Sequence, residues 1–257
     1  MQKMTKSIKK YQKARVIVPA ASVRKRPSHR QEMSNQLLYG EDLTVLALKT
    51  NGWVKIQSNY DNYIGWVTSS MIEIGSNKKQ SLQFVKDLVK TFSIDGNLLL
   101  LSMGASIPAN TKASRAAEKK STANKNSIGI SQLKSITKQW LNVPYLWGGK
   151  TPMGVDCSGF VQVVYKVLGV HLLRDAQEQA TQGKSVKDLK DSLPGDLLFF
   201  NRGRKIIHVG IYLGNNKIIH SSGCVRIDMV DQKGIAQLDT GKRTHKLHSI
   251  KRVATFK

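Results

Sequence analysis

The chain has 257 residues, 40% of them hydrophobic, enough for a real core and for one large domain or two to three small ones. Lys and Arg number 41 against 17 Asp and Glu, and the net charge of +24 concentrates at the ends: residues 1–30 hold ten basic residues and no acid, residues 240–257 six and none. Such a field attracts polyanions, a nucleic acid or an anionic envelope polymer, or is no more than a basic solvated surface; no helix-turn-helix, zinc or RNP pattern accompanies it, so charge alone names no partner and no specific nucleic acid is expected. Two cysteines, Cys157 and Cys224, exclude a disulfide scaffold and leave room for a free thiol. The basic start is followed by no apolar stretch, so no export signal is visible; the chain reads as cytoplasmic or as a mature form lacking its export signal. No run approaches the roughly 18 to 20 apolar residues of a membrane span, since the longest, "NLLLLSMGASIPA", is broken by Gly104 and Pro108.

In chain order, residues 1–14 form a basic tail. Residues 15–75 read as short strands, "ARVIV", "LTVLAL", "WVKIQ" and "YIGWV", separated by turn signals at "RKRPSH", "YGED", "KTNG" and "SNYDN". That spacing suggests a small barrel. Residues 76–126 hold one clear strand, "NLLLLSM", and then "NTKASRAAEKKSTANKNS", whose Lys, Ser, Ala and Asn content reads as a linker. From 127 to 257 the pattern mixes helix and sheet. "SQLKSITKQWLNV" puts Leu133, Ile136, Trp140 and Leu141 at helical spacing before Pro144. "FVQVVYKVLGV" puts Phe160, Val161, Val164, Val167 and Leu168 on one face before Gly169. After "SLPGD" come strands "LLFF", "IIHVGIYLG" and "KIIHSSG", an α+β order.

Cys157 opens the second helix, with Asp156 where an N-cap belongs. Free N–H groups and the helix dipole there are expected to stabilise a thiolate and lower its pKa. Alone, a cysteine here reads as a small buried apolar residue. His208 lies on a strand by its alternation, with Val209, Ile211 and Leu213 toward the core and His208, Gly210 and Tyr212 on the other face. His220 lies on the next strand, across "GNN". A three-residue loop, Gly214 to Asn216, puts both histidines on one face as diagonal neighbours about 7–8 Å apart; a two-residue Asn215-Asn216 loop puts them on opposite faces. A helix-start cysteine, a strand histidine and a second imidazole behind it are the nucleophile, base and orienter of covalent acyl transfer.

"VPYLWGGKTPMGVDCSGFVQVVYKVLGVHLLRDAQEQATQGKSV", "LPGDLLFF", "HVGIYLG" and "IIHSSGCVRID" together resemble the catalytic domain of the NlpC-type cysteine peptidases, which cut peptidoglycan stem peptides. "SVRKRPSHRQEMSNQLLYGEDLTVLALKTNGWVKIQSNYDNYIGWVTSSMI" resembles the bacterial SH3-like domains attached to such enzymes. The resemblance implies a papain-like catalytic domain, helices packed on an antiparallel sheet, behind one or two small all-β barrels, the second abbreviated. It implies Cys157 as nucleophile, His208 as general base, His220 as orienter and Tyr145 as a donor to the oxyanion beside the Cys157 N–H. Asp156 and Ser158 match positions lining the cleft. "LLRDAQEQ" with the SH3-like domain resembles the dipeptidyl-peptidases that release L-Ala-γ-D-Glu from muropeptides. By that likeness Asp175, Glu41 and Tyr63 hold the free amine of L-Ala, and Arg174 pairs with a substrate carboxylate. No metal or organic cofactor is implied, and the paired Cys or His of a zinc site are absent. Two rivals stand beside this reading: an amidase or acyltransferase on the same fold, and a basic wall-binding or nucleic-acid-binding protein with vestigial catalytic residues. Cys224 reads as structural.

Overall fold

The computed structural model describes residues 12–75, 81–111 and 129–256. Most of the expected basic tail and of the polar linker therefore lies outside the described residues. Residues 12–75 carry β1 (Lys13–Val16), β2 (Ala20–Arg24), β3 (Met33–Leu38), β4 (Asp42–Leu48), β5 (Trp53–Ser58), β6 (Ile64–Thr68) and β7 (Ile72–Ile74), antiparallel in the order β3-β2-β6-β5-β4-β1-β7. Alternating residues, among them Val16, Val23, Leu43, Val45, Ile56 and Val67, are wholly buried and form this domain's own core. The sequence reading misses β2, β3 and β7. In β3 the reason is physical: its middle is Ser34, Asn35 and Gln36, polar residues that face the rest of the chain instead of water.

Residues 82–108 form two antiparallel pairs, β8 (Leu82–Phe84) with β11 (Ser106–Pro108) and β9 (Val89–Ile94) with β10 (Asn97–Ser102). Phe92, Leu101 and Met103 pack into the same apolar cluster as Trp140 and Phe160, and the Trp140 Nε1–H donates to Met103 Sδ at 3.2 Å. This segment thus shares its core with the C-terminal half.

The C-terminal half runs α1 (Ile130–Gln139), β12 (Lys150–Thr151), β13 (Gly154–Val155), α2 (Cys157–Val167), α3 (Ala176–Gln179), β14 (Lys184–Val186), β15 (Leu197–Arg202), β16 (Lys205–Gly214), β17 (Lys217–Ser222), β18 (Cys224–Asp231), β19 (Gly234–Ala236) and β20 (Arg243–Arg252). The strand order is β14-β20-β15-β16-β17-β18-β19, and β19 pairs back onto β20, so β15 to β20 close into a six-stranded barrel. One barrel face, with Leu198, Phe200, Tyr212 and Ile218, has its own apolar cluster; the other, with Phe199, Val209, Ile211 and Ile219, packs against α2. Both helices appear where their periodicity puts them. α2, however, is buried over its whole length, not on one face. Its apolar residues cover the barrel, while its polar ones meet the N-terminal domain: Gln162 Nε2 donates to Asp61 at 2.9 Å and Lys166 Nζ to Glu41 at 2.6 Å.

Candidate active site

Asp156 caps α2, accepting from the Gly159 N–H at 2.7 Å, and so delivers Cys157 at the first helical position. The thiol is buried, 6% exposed. The expected drop in its pKa does not occur: burial pushes it up to about 12 and the Asp156 carboxylate adds to this, against smaller opposing effects from the Val209 and Ser158 backbones and Arg174. Desolvation of a thiolate outweighs the helix start here. The contact with Val209, the residue after His208, seats the sulfur against the strand that carries His208.

The β16–β17 hairpin combines both loop geometries that the sequence allows. Asn215 and Asn216, with φ of 51° and 53°, form a two-residue turn closed by Gly214 opposite Lys217. A register shift between Tyr212 and Gly214 then inserts one extra residue, Leu213. The bulge restores the parity that the turn alone would have reversed, so Gly210 pairs with His220 and His208 lies diagonally on the same face. Gly210 is required there: a Cβ would lie 2.9 Å from the Cβ of His220 and 2.7 Å from Ile218.

The two rings meet, His208 Nε2 to His220 Nδ1 at 2.8 Å, and His220 Nε2 reaches Asp228 Oδ2 at 3.0 Å. All three side chains are buried. Asp228 lies on β18 opposite Ile218, diagonal to His220. Its carboxyl is held at about 2: burial opposes ionisation, but hydrogen bonds from His220, the Leu238 N–H and Arg226 more than offset it. An ionised Asp228 must accept from His220 Nε2–H, which makes His220 Nδ1 an acceptor and His208 Nε2 a donor. The ring nitrogen of His208 left with a free lone pair is Nδ1. Burial, with His220 and His245 beside it, drives the His208 pKa well below the ordinary histidine range. His245, brought in by β20, stacks on His208 with centroids 4.3 Å apart and planes at 24°. Asp228 and His245 are absent from the sequence reading; the alternation of "VRIDMV" was the one available signal for Asp228.

Tyr145 stands at the rim, 37% exposed, its N–H donating to the Gly223 carbonyl; burial and the neighbouring Cys157 raise its phenol pKa. Arg174 is 1% exposed and internally committed: Nη1 and Nη2 fork onto Asp156 at 3.0 and 2.6 Å, Nη1 also donates to Ser158 Oγ at 2.9 Å, and Nε donates to Asn35 Oδ1 at 2.6 Å. The expected substrate carboxylate is thus replaced by Asp156, and the Ser158 hydroxyl belongs to the same network. Glu41 requires correction. It is 4% exposed and paired with Lys166 at 2.6 Å and Lys150 at 3.6 Å beneath α2, so it does not open on the cleft. Lys25, whose charge is felt by both Tyr63 and Asp175, instead ties another carboxylate into this corner: Glu32 accepts from Lys25 Nζ at 2.7 Å and from Trp147 Nε1 at 2.6 Å. Tyr63 donates to the Ser34 carbonyl at 3.3 Å, and Asp175 is exposed at the start of α3.

Residues 142–244 match the model of the NlpC/P60 family, and residues 23–72 that of the bacterial dipeptidyl-peptidase SH3 domain. The chain is 29% identical over 215 residues to the gamma-D-glutamyl-L-lysine dipeptidyl-peptidase of Bacillus subtilis (strain 168), covering 74% of this chain and 72% of that protein. It is 43% identical over 96 residues to the probable endopeptidase NlpC of Escherichia coli (strain K12), covering 36% of this chain and 62% of that one. Among solved structures, an NlpC/P60 family protein from Bacillus cereus ATCC 10987 superposes with a TM-score of 0.78 at 21% identity, covering 94% of this chain and 99% of that one. An NlpC/P60 endopeptidase from Photobacterium damselae subsp. piscicida gives 0.65 at 17%, covering 92% and 70%. An SH3-like domain in front of a papain-like α+β domain is the shared fold, and residues 142–244 form an NlpC/P60 domain, the domain of cysteine peptidases that hydrolyse peptidoglycan peptides.

Proposed function

We propose that this chain cleaves the γ-D-glutamyl–diamino acid bond of stem peptides, releasing L-Ala-γ-D-Glu from peptides whose N-terminal L-Ala is free. The observation that carries the reading is Asp175. It is exposed, forms no ion pair among the described residues, and its carboxyl pKa is raised by desolvation and by Glu178, against Arg174. A carboxylate so placed gains most from an incoming ammonium, and Tyr63 and Glu32 stand in the same corner of the SH3-like domain. The Bacillus subtilis relative, named for the γ-D-glutamyl-L-lysine bond, supports the choice of bond.

In the proposed reaction the Cys157 sulfur attacks the γ-carbonyl carbon of D-Glu as its proton passes to His208 Nδ1. Thiol and imidazole both start neutral, since burial disfavours each charge. Carbonyl electrons move onto oxygen, which the Cys157 N–H and the Tyr145 hydroxyl receive. Collapse of this intermediate breaks the C–N bond, and His208 returns the proton to the departing amine. Water, deprotonated by His208, then cleaves the thioester, and the proton goes back to sulfur. Asp228 and His220 act by holding His208 in the one tautomer that serves both steps. The surplus positive charge is read as an affinity for anionic wall polymer, which should weaken as salt rises.

Mass spectrometry of products from L-Ala-γ-D-Glu-L-Lys and its diaminopimelate counterpart tests the reading. Release of L-Ala-γ-D-Glu, abolished by acetylating the L-Ala amine, is expected. Equal turnover of the acetylated peptide would remove Asp175 as an amine binder, and no turnover of either would remove the proposed bond.

A further inference from the structure

We infer that Asn35, on β3 of the SH3-like domain, is a positioning residue for the nucleophile: it fixes Arg174, which fixes the Asp156 cap from which Cys157 projects. The inference rests on the peptidase reading of Cys157. The chain of contacts is short and buried. Asn35 is 0% exposed, and its Oδ1 accepts from Arg174 Nε at 2.6 Å. Arg174 then forks onto both oxygens of Asp156. Each of those oxygens has a backbone duty as well: Oδ1 accepts from the Gly159 N–H at 2.7 Å and Oδ2 from the Gly148 N–H at 2.8 Å. Asp156 therefore clamps the start of α2 to the 145–149 turn that carries Tyr145, and Cys157 lies between the two clamped points.

The same strand reaches that turn directly. The Lys150 N–H donates to Gln36 Oε1 at 2.8 Å, and Gly148, at φ +76°, lies so close that a Cβ would sit 2.7 Å from the Met33 carbonyl oxygen. β3 is thus a template for the catalytic turn. The link is electrostatic as well as geometric. Asp156 raises the cost of charge on the Cys157 sulfur and Arg174 lowers it, so an arginine that loses its Asn35 anchor leaves a less compensated carboxylate beside the reacting thiol.

Asn35 Nδ2 is buried without a hydrogen-bond partner, a cost accepted while Oδ1 serves the buried Arg174 Nε, which an apolar side chain would strand. Catalytic positioning gives a reason for its presence.

The test compares Asn35→Leu, which removes the acceptor, with Asn35→Asp, which keeps it. Two readouts are used: steady-state cleavage of L-Ala-γ-D-Glu-L-Lys, and alkylation of Cys157 by iodoacetamide without substrate. For Asn35→Leu, kcat should fall by about 10- to 100-fold with KM within about twofold, and alkylation should slow in parallel, the scale expected of a misplaced catalytic group. Asn35→Asp should stay within about threefold of the parent on both readouts. An unchanged kcat and alkylation rate in Asn35→Leu, a change in KM alone, or an equal loss in Asn35→Asp would overturn the inference. If the parent protein leaves the peptide uncut, the proposed substrate fails, while the alkylation comparison still decides the role of Asn35.

Discussion

At Cys157 two opposing influences meet, and their balance sets how the thiol reacts. The helix start and the Val209 backbone favour a thiolate, but burial beside Asp156 wins and lifts the pKa to about 12. Alkylation of Cys157 should therefore keep accelerating well above pH 9 instead of levelling off near neutrality; a plateau below pH 8 would show a preformed thiolate. His208 depends on its neighbours in a different way, through the tautomer that Asp228 imposes by way of His220. Asp228→Asn should lower kcat by about 10²- to 10⁴-fold with little change in KM, the range expected when a base is held in the wrong tautomer. A loss below about threefold would remove Asp228 from the catalytic chain. Residue type and local pattern single out Cys157, His208 and His220 in the sequence, and the structure brings the two imidazoles together. Asp228 and His245 were not, since only strand register and barrel closure bring β18 and β20 to the base. Glu41 was misplaced because the "YGED" turn that carries it is recognisable while the side on which its carboxylate emerges is not.

Among the elements, α2 shows how a periodic pattern can be read correctly and still understate burial. Its apolar face is plain in the sequence, while Gln162 and Lys166, which that periodicity leaves unassigned, are buried partners of Asp61 and Glu41. Lys166→Ala strands Glu41 with only Lys150 nearby and should cost about 3 kcal/mol in denaturant unfolding. A cost near zero would mean that water or Lys150 takes over the charge. The hairpin turn makes a second element-scale demand. Asn216 at positive φ tolerates glycine, whereas Asn216→Val should destabilise by about 1–2 kcal/mol. The loop length alone leaves the facing of the two histidines open, since the bulge at Leu213 has no sequence signal of its own.

Across the whole molecule, buried titratable groups define a stability window. His208, with its pKa lowered, resists protonation in the fold but accepts a proton when unfolded, so stability falls as pH drops below the ordinary histidine value of 6.5. Glu41 and Asp228, both lowered, add stability that is present above the ordinary carboxylate range and is lost as pH falls through it. Cys157, raised, keeps its proton in the fold while the unfolded chain loses it, so stability falls as pH rises above 9.0. Thermal unfolding should thus be most resistant between about pH 6.5 and 9. Cys157→Ala should delay the alkaline fall to above pH 10.0, where the half-buried Tyr60 and the buried Tyr165 begin to matter. An unchanged alkaline limb in that variant would contradict the burial of the thiol.

Attack of Cys157 on the γ-carbonyl of D-Glu can be caught by acid-quenching the protein during turnover of L-Ala-γ-D-Glu-L-Lys and measuring the mass of the peptide that contains Cys157. An L-Ala-γ-D-glutamyl thioester on Cys157 is expected, formed by the parent protein and absent from His208→Ala. Turnover without such an adduct on Cys157, or an adduct of a different acyl group, would contradict it.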